Sequence, residues 1–350
     1  MTDSPDTPNL YGLHRAELAE ALAAWSVPPY RADQLMRALY QRDALAPSSW
    51  TDLPVALREE IARAYTVERP RVAEQQRGPD GTLKALLDLP GGGRVEAVAM
   101  GSPKGLTFCI SSQIGCAMGC AFCMTARLGY QRQLTPGEIV GQVAALEELT
   151  GCGRSDFNIV FMGMGEPLHN LEGVLGALRL LTDEDGFGLG PRRITVSTVG
   201  LVKGIERLAR EPVVPRLSVS LITADPQQRA ELMPIARRIG IEPLADAIRR
   251  FGEGRRDRPT LEVVLLRDVN DSERHARLVV RFAHEARAKV NLIPFNPTPE
   301  LPFDAPSEER IDRFLEILSR AGVIGTVRRS RGRDIDAACG QLAFTRRRSA

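Results

Sequence analysis

The side chains carrying the most chemistry are Cys116, Cys120 and Cys123, in the run Cys116-Ala-Met-Gly-Cys120-Ala-Phe-Cys123. Three residues, then two, separate them, in a stretch that reads as a loop directly after an apolar run. Three thiolates at this pitch can bind three corners of a 4Fe-4S cluster, which normally takes four cysteines. An iron without a protein ligand can bind substrate, as a catalytic zinc does at its open position. A zinc knuckle or three buried thiols are the plainer readings. Zinc would want a fourth Cys or His close by, and the nearest His in the chain is His169.

Three further cysteines need separate readings. Cys109 lies inside an apolar run, where a cysteine is usually a small buried hydrophobe. Cys339 sits between Ala338 and Gly340 with no bulky neighbour, which suits a loop that swings into a site. Cys152, flanked by Gly151 and Gly153, reads as structural. Glu96 interrupts an apolar strand just ahead of the cysteine loop. It could serve as a base, although a Glu in that setting more often faces water.

Composition bounds the rest. A chain of 350 residues suggests roughly two domains, one of them large, with a sizeable core. Six cysteines, three in one motif, point to a reducing compartment rather than a disulfide scaffold. The start MTDSPDTPNL has no apolar leader, and no run approaches the ~18 apolar residues of a membrane span. A soluble, cytoplasmic protein with no membrane partner is expected. Net charge is only +2, but the cations are nearly all Arg, compatible with bidentate contacts to RNA phosphates.

Helical patterns at about 13–25, 31–43 and 53–66 carry apolar stripes: Leu13, Leu18 and Leu22; Leu35, Leu39 and Tyr40; Leu57, Ile61 and Ala64. They predict a small helical module over 1–69, with 1–9 polar and frayed. Residues 82–100 turn through Pro90-Gly-Gly-Gly93 and predict a β-hairpin extension within 70–105. On its return strand Val95, Ala97 and Ala99 share one face, with Glu96 and Val98 opposite.

Apolar runs then recur at 106–111, 157–162, 194–197, 217–221, 261–266 and 290–295. Helical patterns separate them at about 136–149, 171–182, 201–210, 226–238, 243–252, 272–287 and 308–321. Runs apolar on both faces, alternating with helices, predict parallel strands with right-handed crossovers. Thr135-Pro136-Gly137-Glu138 supplies a capping box with a proline at the first helical position, and Ser307-Glu-Glu opens the last helix similarly. Six units are too few for a closed barrel of eight, so the predicted fold class is α/β, a partial (β/α)6 barrel over 106–325, followed by a C-terminal segment at 326–350. Gly163-Met-Gly165-Glu166, Ser197, Ser220 and Asn296 all fall at strand ends. In barrels the C-terminal ends carry the site, so these turns should converge with the cysteine loop.

The CxxxCxxC spacing, with an aromatic before the last cysteine, resembles the radical S-adenosylmethionine (SAM) superfamily. In that superfamily the open iron chelates SAM, which implies the fold above as a radical SAM barrel. Gly163-Met-Gly165-Glu166-Pro167 is similar to its GGE element, which implies that the backbone and Glu166 hold the SAM amino group. Ser197, Ser220 with Leu221 and Ile222, and Asn296 match the remaining SAM contacts. Joined to Asp336-Ala-Ala-Cys339-Gly-Gln-Leu342 and Cys109-Ile-Ser-Ser-Gln-Ile-Gly-Cys116, the whole chain resembles the RlmN family of dual-specificity 23S rRNA and tRNA adenine-C2 methyltransferases.

That resemblance implies a mechanism. One SAM methylates Cys339, and a second, on the cluster, yields a radical that takes hydrogen from this methyl. The carbon then adds to adenine C2 of adenosine 2503 in 23S rRNA or adenosine 37 in tRNA. Glu96 matches the base that removes the ring proton. Cys109 resolves the adduct through a transient disulfide with Cys339. A flavodoxin- or ferredoxin-type donor would supply electrons to a monomeric enzyme. The chain departs from the family at Ser220-Leu-Ile222-Thr223, where the family usually shows Ser-Leu-His-Ala. The tail Thr345-Arg-Arg-Arg348 and the cluster Arg328-Arg-Ser-Arg331 are candidate phosphate contacts. Two alternatives stay open: the same machinery aimed at carbon 8 or another RNA, and an iron–sulfur redox or RNA-binding protein without methyl transfer.

Overall fold

The structure is a computed structural model that describes residues 7–102, 105–329 and 331–342. The candidate phosphate tail at 345–348, and Ser330 of the other arginine cluster, lie outside the described residues.

The three N-terminal helices form as predicted, each trimmed at its ends: α1 Arg15–Ala23, α2 Tyr30–Met36 and α3 Val55–Ala64. α1 opens on a capping box, His14 accepting from the Glu17 amide while the Glu17 carboxylate takes the His14 amide. α2 runs into a π-helical turn, Arg37–Gln41. There the buried Tyr40 hydroxyl donates to the Leu13 carbonyl at 3.0 Å and accepts the Gly12 amide at 2.8 Å. Of the expected stripe residues, Ala64 is exposed while Leu18, Leu22, Leu35, Leu39, Leu57 and Ile61 are buried. These side chains belong to the same continuous apolar core as the sheet. Arg15 locks the module down by pairing with Asp33, with Asp183 at 2.9 Å and with Asp185 at 2.9 Å.

Among the described residues, ten strands make one open sheet. In chain order the strands are β1 Arg71–Arg77, β2 Leu83–Asp88, β3 Arg94–Ser102, β4 Gly105–Cys109, the short pair β5 Gln113–Ile114 and β6 Arg132–Gln133, β7 Phe157–Phe161, β8 Ile194–Thr198, β9 Arg216–Ser220, β10 Thr260–Leu265, β11 Lys289–Pro294 and β12 Gly325–Val327. The sheet order is β1-β2-β3-β4-β7-β8-β9-β10-β11-β12, with β5 and β6 paired apart. The six predicted strands, β4 and β7 to β11, run parallel in sequence order. β2 and β3 form the predicted antiparallel hairpin, which joins the sheet along β4.

Two strands of the large sheet went unpredicted, as did the short pair β5 and β6. β1 is an edge strand exposed along its whole length, so Arg-Val-Ala-Glu-Gln-Gln-Arg shows no apolar alternation. β12 is only three residues long and extends the parallel set by one.

The crossover helices are α5 Pro136–Thr150, α6 Leu171–Thr182, α7 Val202–Ala209, α8 Pro226–Leu232, α9 Ile241–Gly252, α10 Glu273–Glu285 and α11 Glu308–Arg320, with a single-turn α4 Met124–Arg127 after the cysteines. The pattern read as one helix over 226–238 is two pieces. α8 stops at Leu232 and a 3-10 turn follows from Pro234, because proline lacks the N–H to continue the helix and biases the preceding residue away from it. α5 carries the predicted capping box, Thr135 and Glu138 exchanging bonds of 3.0 and 3.2 Å. Beyond its end Cys152 packs on the main core and accepts from Thr150, a structural environment.

Candidate active site

The C-terminal ends of the parallel strands open on one cavity of about 160 Å³. Cys116, Cys120 and Cys123 line one wall, and Gly165 and Glu166 follow from the end of β7. Ser197 comes from β8, Ser220 and Ile222 from β9 and its turn, and Asn296 from beyond β11. Cys339 reaches the same wall from the C-terminal segment. That segment is docked on the cysteine loop: the Met124 amide donates to the Gly340 carbonyl at 2.8 Å, and the Thr125 hydroxyl to the Leu342 carbonyl at 2.7 Å.

Glu166 is 2 % exposed and is held on all sides. Its Oε1 accepts the Leu168 amide at 3.0 Å, and Oε2 the Val199 amide at 2.8 Å. Its own amide donates to Gln113 Oε1 at 2.7 Å. Burial pushes the carboxyl up to about 7, against those hydrogen bonds, so a cation arriving in the cavity would ionise it. Gly165 has φ +98°, and a Cβ there would sit 2.5 Å from the Gln113 side chain. Only glycine lets the turn carry Glu166 this close to the cysteine loop.

Burial also pushes up the cysteine thiols, Cys116 to about 12, with Cys120 and Cys123 raised as well and their mutual charges adding. Such thiols bind a metal by giving up their protons to it. Among the described residues no three His, Cys, Asp or Glu side chains converge on a single ion. A cubane takes each thiolate on a separate iron. Three soft sulfur donors, a buried carboxylate and a glycine turn around one cavity fit a cluster with SAM beside it.

Three expected residues are not on that wall. Leu221 is fully buried, its amide donating to the Glu262 carbonyl at 3.0 Å and its carbonyl accepting from Arg229 at 3.2 Å. It shapes the turn through its backbone. Cys109 ends β4, buried; burial first and the charge of Cys339 second push its thiol up to about 12, while Arg328 opposes them. Glu96 does not face water: it is 3 % exposed, and its carboxylate meets Lys84 Nζ at 3.2 Å. Lys84 also donates to the Asp336 carbonyl at 3.4 Å, which links Glu96 to the segment bearing Cys339.

Several contributors escaped the sequence reading. Buried Arg229 donates to the carbonyls of Val199, Ser220 and Leu221, tying the ends of β8 and β9 together. Asn270 donates to the carbonyls of Ile222 and Val264, both at 2.8 Å. Glu262, also on the cavity wall, accepts Ser218 Oγ at 2.5 Å and Asn291 Nδ2 at 2.7 Å. Arg229 and Asn270 stand in ordinary polar stretches, whereas Glu262, within the apolar run of β10, carried a signal. Ile222 has φ +63°, an outlier for a β-branched residue.

A cysteine triplet facing a buried carboxylate, across the ends of a parallel sheet, defines a radical SAM enzyme, and the radical SAM superfamily model matches residues 110–279. A second model, the ribosomal RNA large subunit methyltransferase N-terminal domain, matches residues 8–67. The chain is 42% identical over 348 residues to a probable dual-specificity RNA methyltransferase RlmN of Salinibacter ruber, covering 97% of this chain and 94% of the relative. It is 44% identical over 342 residues to the dual-specificity RNA methyltransferase RlmN of an Anaeromyxobacter strain, covering 96% and 90%. A radical SAM methyltransferase from Sphaerobacter thermophilus superposes with TM-score 0.89 at 44% identity, over 96% of this chain and 99% of that one. This chain belongs to the RlmN family and is a SAM-dependent RNA methyltransferase.

Proposed function

We propose that the enzyme methylates carbon 2 of an adenosine in 23S rRNA and in tRNA, at adenosines 2503 and 37, with Cys339 as the carrier of the carbon. The observation that supports this most is the position of Cys339, on the wall of the cysteine-lined cavity. Carbon 2 is electrophilic and has no lone pair, so a methyl cation equivalent cannot be delivered to it directly. A sulfur that first accepts the methyl as a nucleophile, then presents the carbon in another form, answers that difficulty.

When bound, the cluster and SAM together supply the methyl group and the one-electron chemistry that opens an unactivated C–H bond. Cys116, Cys120 and Cys123 would hold the cluster. The Gly165 turn and Glu166 would take the SAM amino group, with Ser197, Ser220, the Ile222 backbone and Asn296 on its other polar atoms. Cys339 gives up its proton and takes the methyl. Glu96, on the face of β3 shared with Val98 and Met100, would receive the ring proton from carbon 2, with Lys84 orienting its carboxylate, and the adduct's unpaired electron would pass to the cluster as its acceptor. Cys109 then attacks the Cys339 sulfur; the RNA carbon leaves with the electron pair and is protonated, and the resulting disulfide is reduced before the next turnover. A flavodoxin- or ferredoxin-type protein is the expected electron source.

Anaerobic reconstitution with iron, sulfide, SAM and a reductant, followed by nucleoside analysis of added rRNA or tRNA, tests this. The expected product is 2-methyladenosine, lost in Cys339→Ala. Formation of 8-methyladenosine, or undiminished product from Cys339→Ala, would overturn it.

A further inference from the structure

Cys339 forms part of two cavities, and among the described residues it is the one their walls share. The first is the cysteine-lined chamber. The second, of about 300 Å³, is bounded by Met100, Thr107, Val160, Arg328, Arg331 and Ala338. That is the lower end of the ~300–1,000 Å³ range for small-molecule pockets. Aliphatic and thioether walls with guanidinium groups suit a flat heteroaromatic ring rich in acceptor atoms.

Arg328 is the unusual member. Its neighbour Arg329 is paired with Glu308 at 2.7 Å, an ordinary surface ion pair. Arg328 is partly buried, and no carboxylate lies within 4.0 Å of it among the described residues. Its Nη1 lies 3.2 Å from Met162 Sδ, and its Nη2 3.8 Å from Met100 Sδ. Thioethers are weak acceptors, so five strong donors are left under-used. The facing carboxylate, Glu262, is already bonded to Ser218 and Asn291. Cys339 is the group that most favours the charge on Arg328, against burial, with Glu262 and Cys109 adding to it.

We infer that the second cavity receives the target adenine and that Arg328 donates to N1 or N3, the ring nitrogens flanking carbon 2. This rests on the carbon-2 reading above. A carrier on a shared wall can be loaded from one chamber and emptied into the other. A guanidinium bonded beside carbon 2 draws electron density from that carbon as the new bond forms, and turns carbon 2 rather than carbon 8 toward Cys339. In duplex or stacked RNA this edge is out of reach, so the base must be extruded into the cavity.

The test uses full-length reconstituted enzyme with two readouts: S-methyl mass on the Cys339 peptide after exposure to SAM, and methyladenosine in the RNA. Arg328→Met should keep the S-methyl mass while kcat for RNA falls roughly 10²-fold. Arg328→Lys should recover part of the loss. RNA carrying 1-deaza- or 3-deazaadenosine at the target should slow the wild type, and one of the two should slow Arg328→Met no further. Undiminished RNA methylation in Arg328→Met, loss of the S-methyl mass in both variants, or additive losses with both analogues would overturn the assignment. If the wild type makes 8-methyladenosine instead, the carbon-2 reading itself falls, a result separable from any effect of Arg328.

Discussion

Within the strands β4 and β7 to β11, backbone ladders satisfy the peptide groups and aliphatic or aromatic packing fills the space. Phe108 and Phe157, for example, stack at 4.3 Å between centroids. A few residues further on, past the strand ends, side chains do that work. Gln113, Gln142, Asn170, Arg229 and Asn270 cap the amides and carbonyls of the turns. The apolar packing there is a separate small cluster that includes Met118, Met124 and Met233, against which Cys116 and Cys120 rest. The strand bodies are thus self-sufficient in backbone bonding, whereas the ends exchange that for a floor of polar side chains on which a cofactor can lie. Stability should reside in the first region and activity in the second, and substitutions can separate the two.

The sharpest break pairs one change in each region. Cys120→Ala should remove cluster absorbance, bound iron and RNA methylation altogether, while the melting temperature of the metal-free protein stays within a few degrees. Phe108→Ala should cost about 3–5 kcal/mol in urea unfolding, with cluster content per folded molecule unchanged. A Cys120→Ala protein that fails to fold would erase the distinction.

Arg229→Met lies on the border. It strips the donor from three buried carbonyls, so we expect roughly 3 kcal/mol of destabilisation together with weakened SAM binding, read by calorimetry. Unchanged SAM affinity would place Arg229 with the strand bodies.

Glu166 gives the comparison a pH axis. Its folded value, about 7, lies above the ordinary 4.5, so the folded state holds the proton more tightly than the unfolded one. This contribution is fully present below pH ~4.5 and is lost as pH rises through about 7, on the order of 3 kcal/mol in the metal-free, SAM-free protein. Unfolding titrations of wild type and Glu166→Gln should diverge across that window, with the variant flatter. Parallel curves would mean the carboxyl is not buried as described.

The smallest effect is expected at Ile222. His tolerates the left-handed backbone better than Ile, but Ile222→His forfeits aliphatic packing. The two should nearly cancel, leaving stability within about 1 kcal/mol and SAM binding intact. A much larger loss would show that the site relies on the Ile222 side chain rather than on its backbone.

Much of this was legible in the chain. The cysteine spacing, the capping box at Thr135 and the alternation of apolar runs with helices are local patterns, and local physics reads them directly. Glu96 was placed correctly on its strand but not in its environment, because alternation tells which face a residue occupies and not what covers that face. β1 hid because an exposed edge strand has no apolar side to display. Arg229 and Asn270 hid because a polar residue in a polar stretch looks the same whether it meets water or a buried carbonyl.

The sequence by itself determined the spacing of the three cysteines, the unit that repeats and the turns at which each unit ends, since all of these depend on neighbours along the chain. The places of Glu166, Ser197, Ser220 and Asn296 at strand ends already implied their convergence, but only the tertiary structure decided that Glu96 pairs with Lys84 and that Cys339 borders both the cavity they line and a second. The approaches around that cavity are made across tens to hundreds of residues, and they exist only because parallel crossovers stack the strand ends on one side of a twisted sheet.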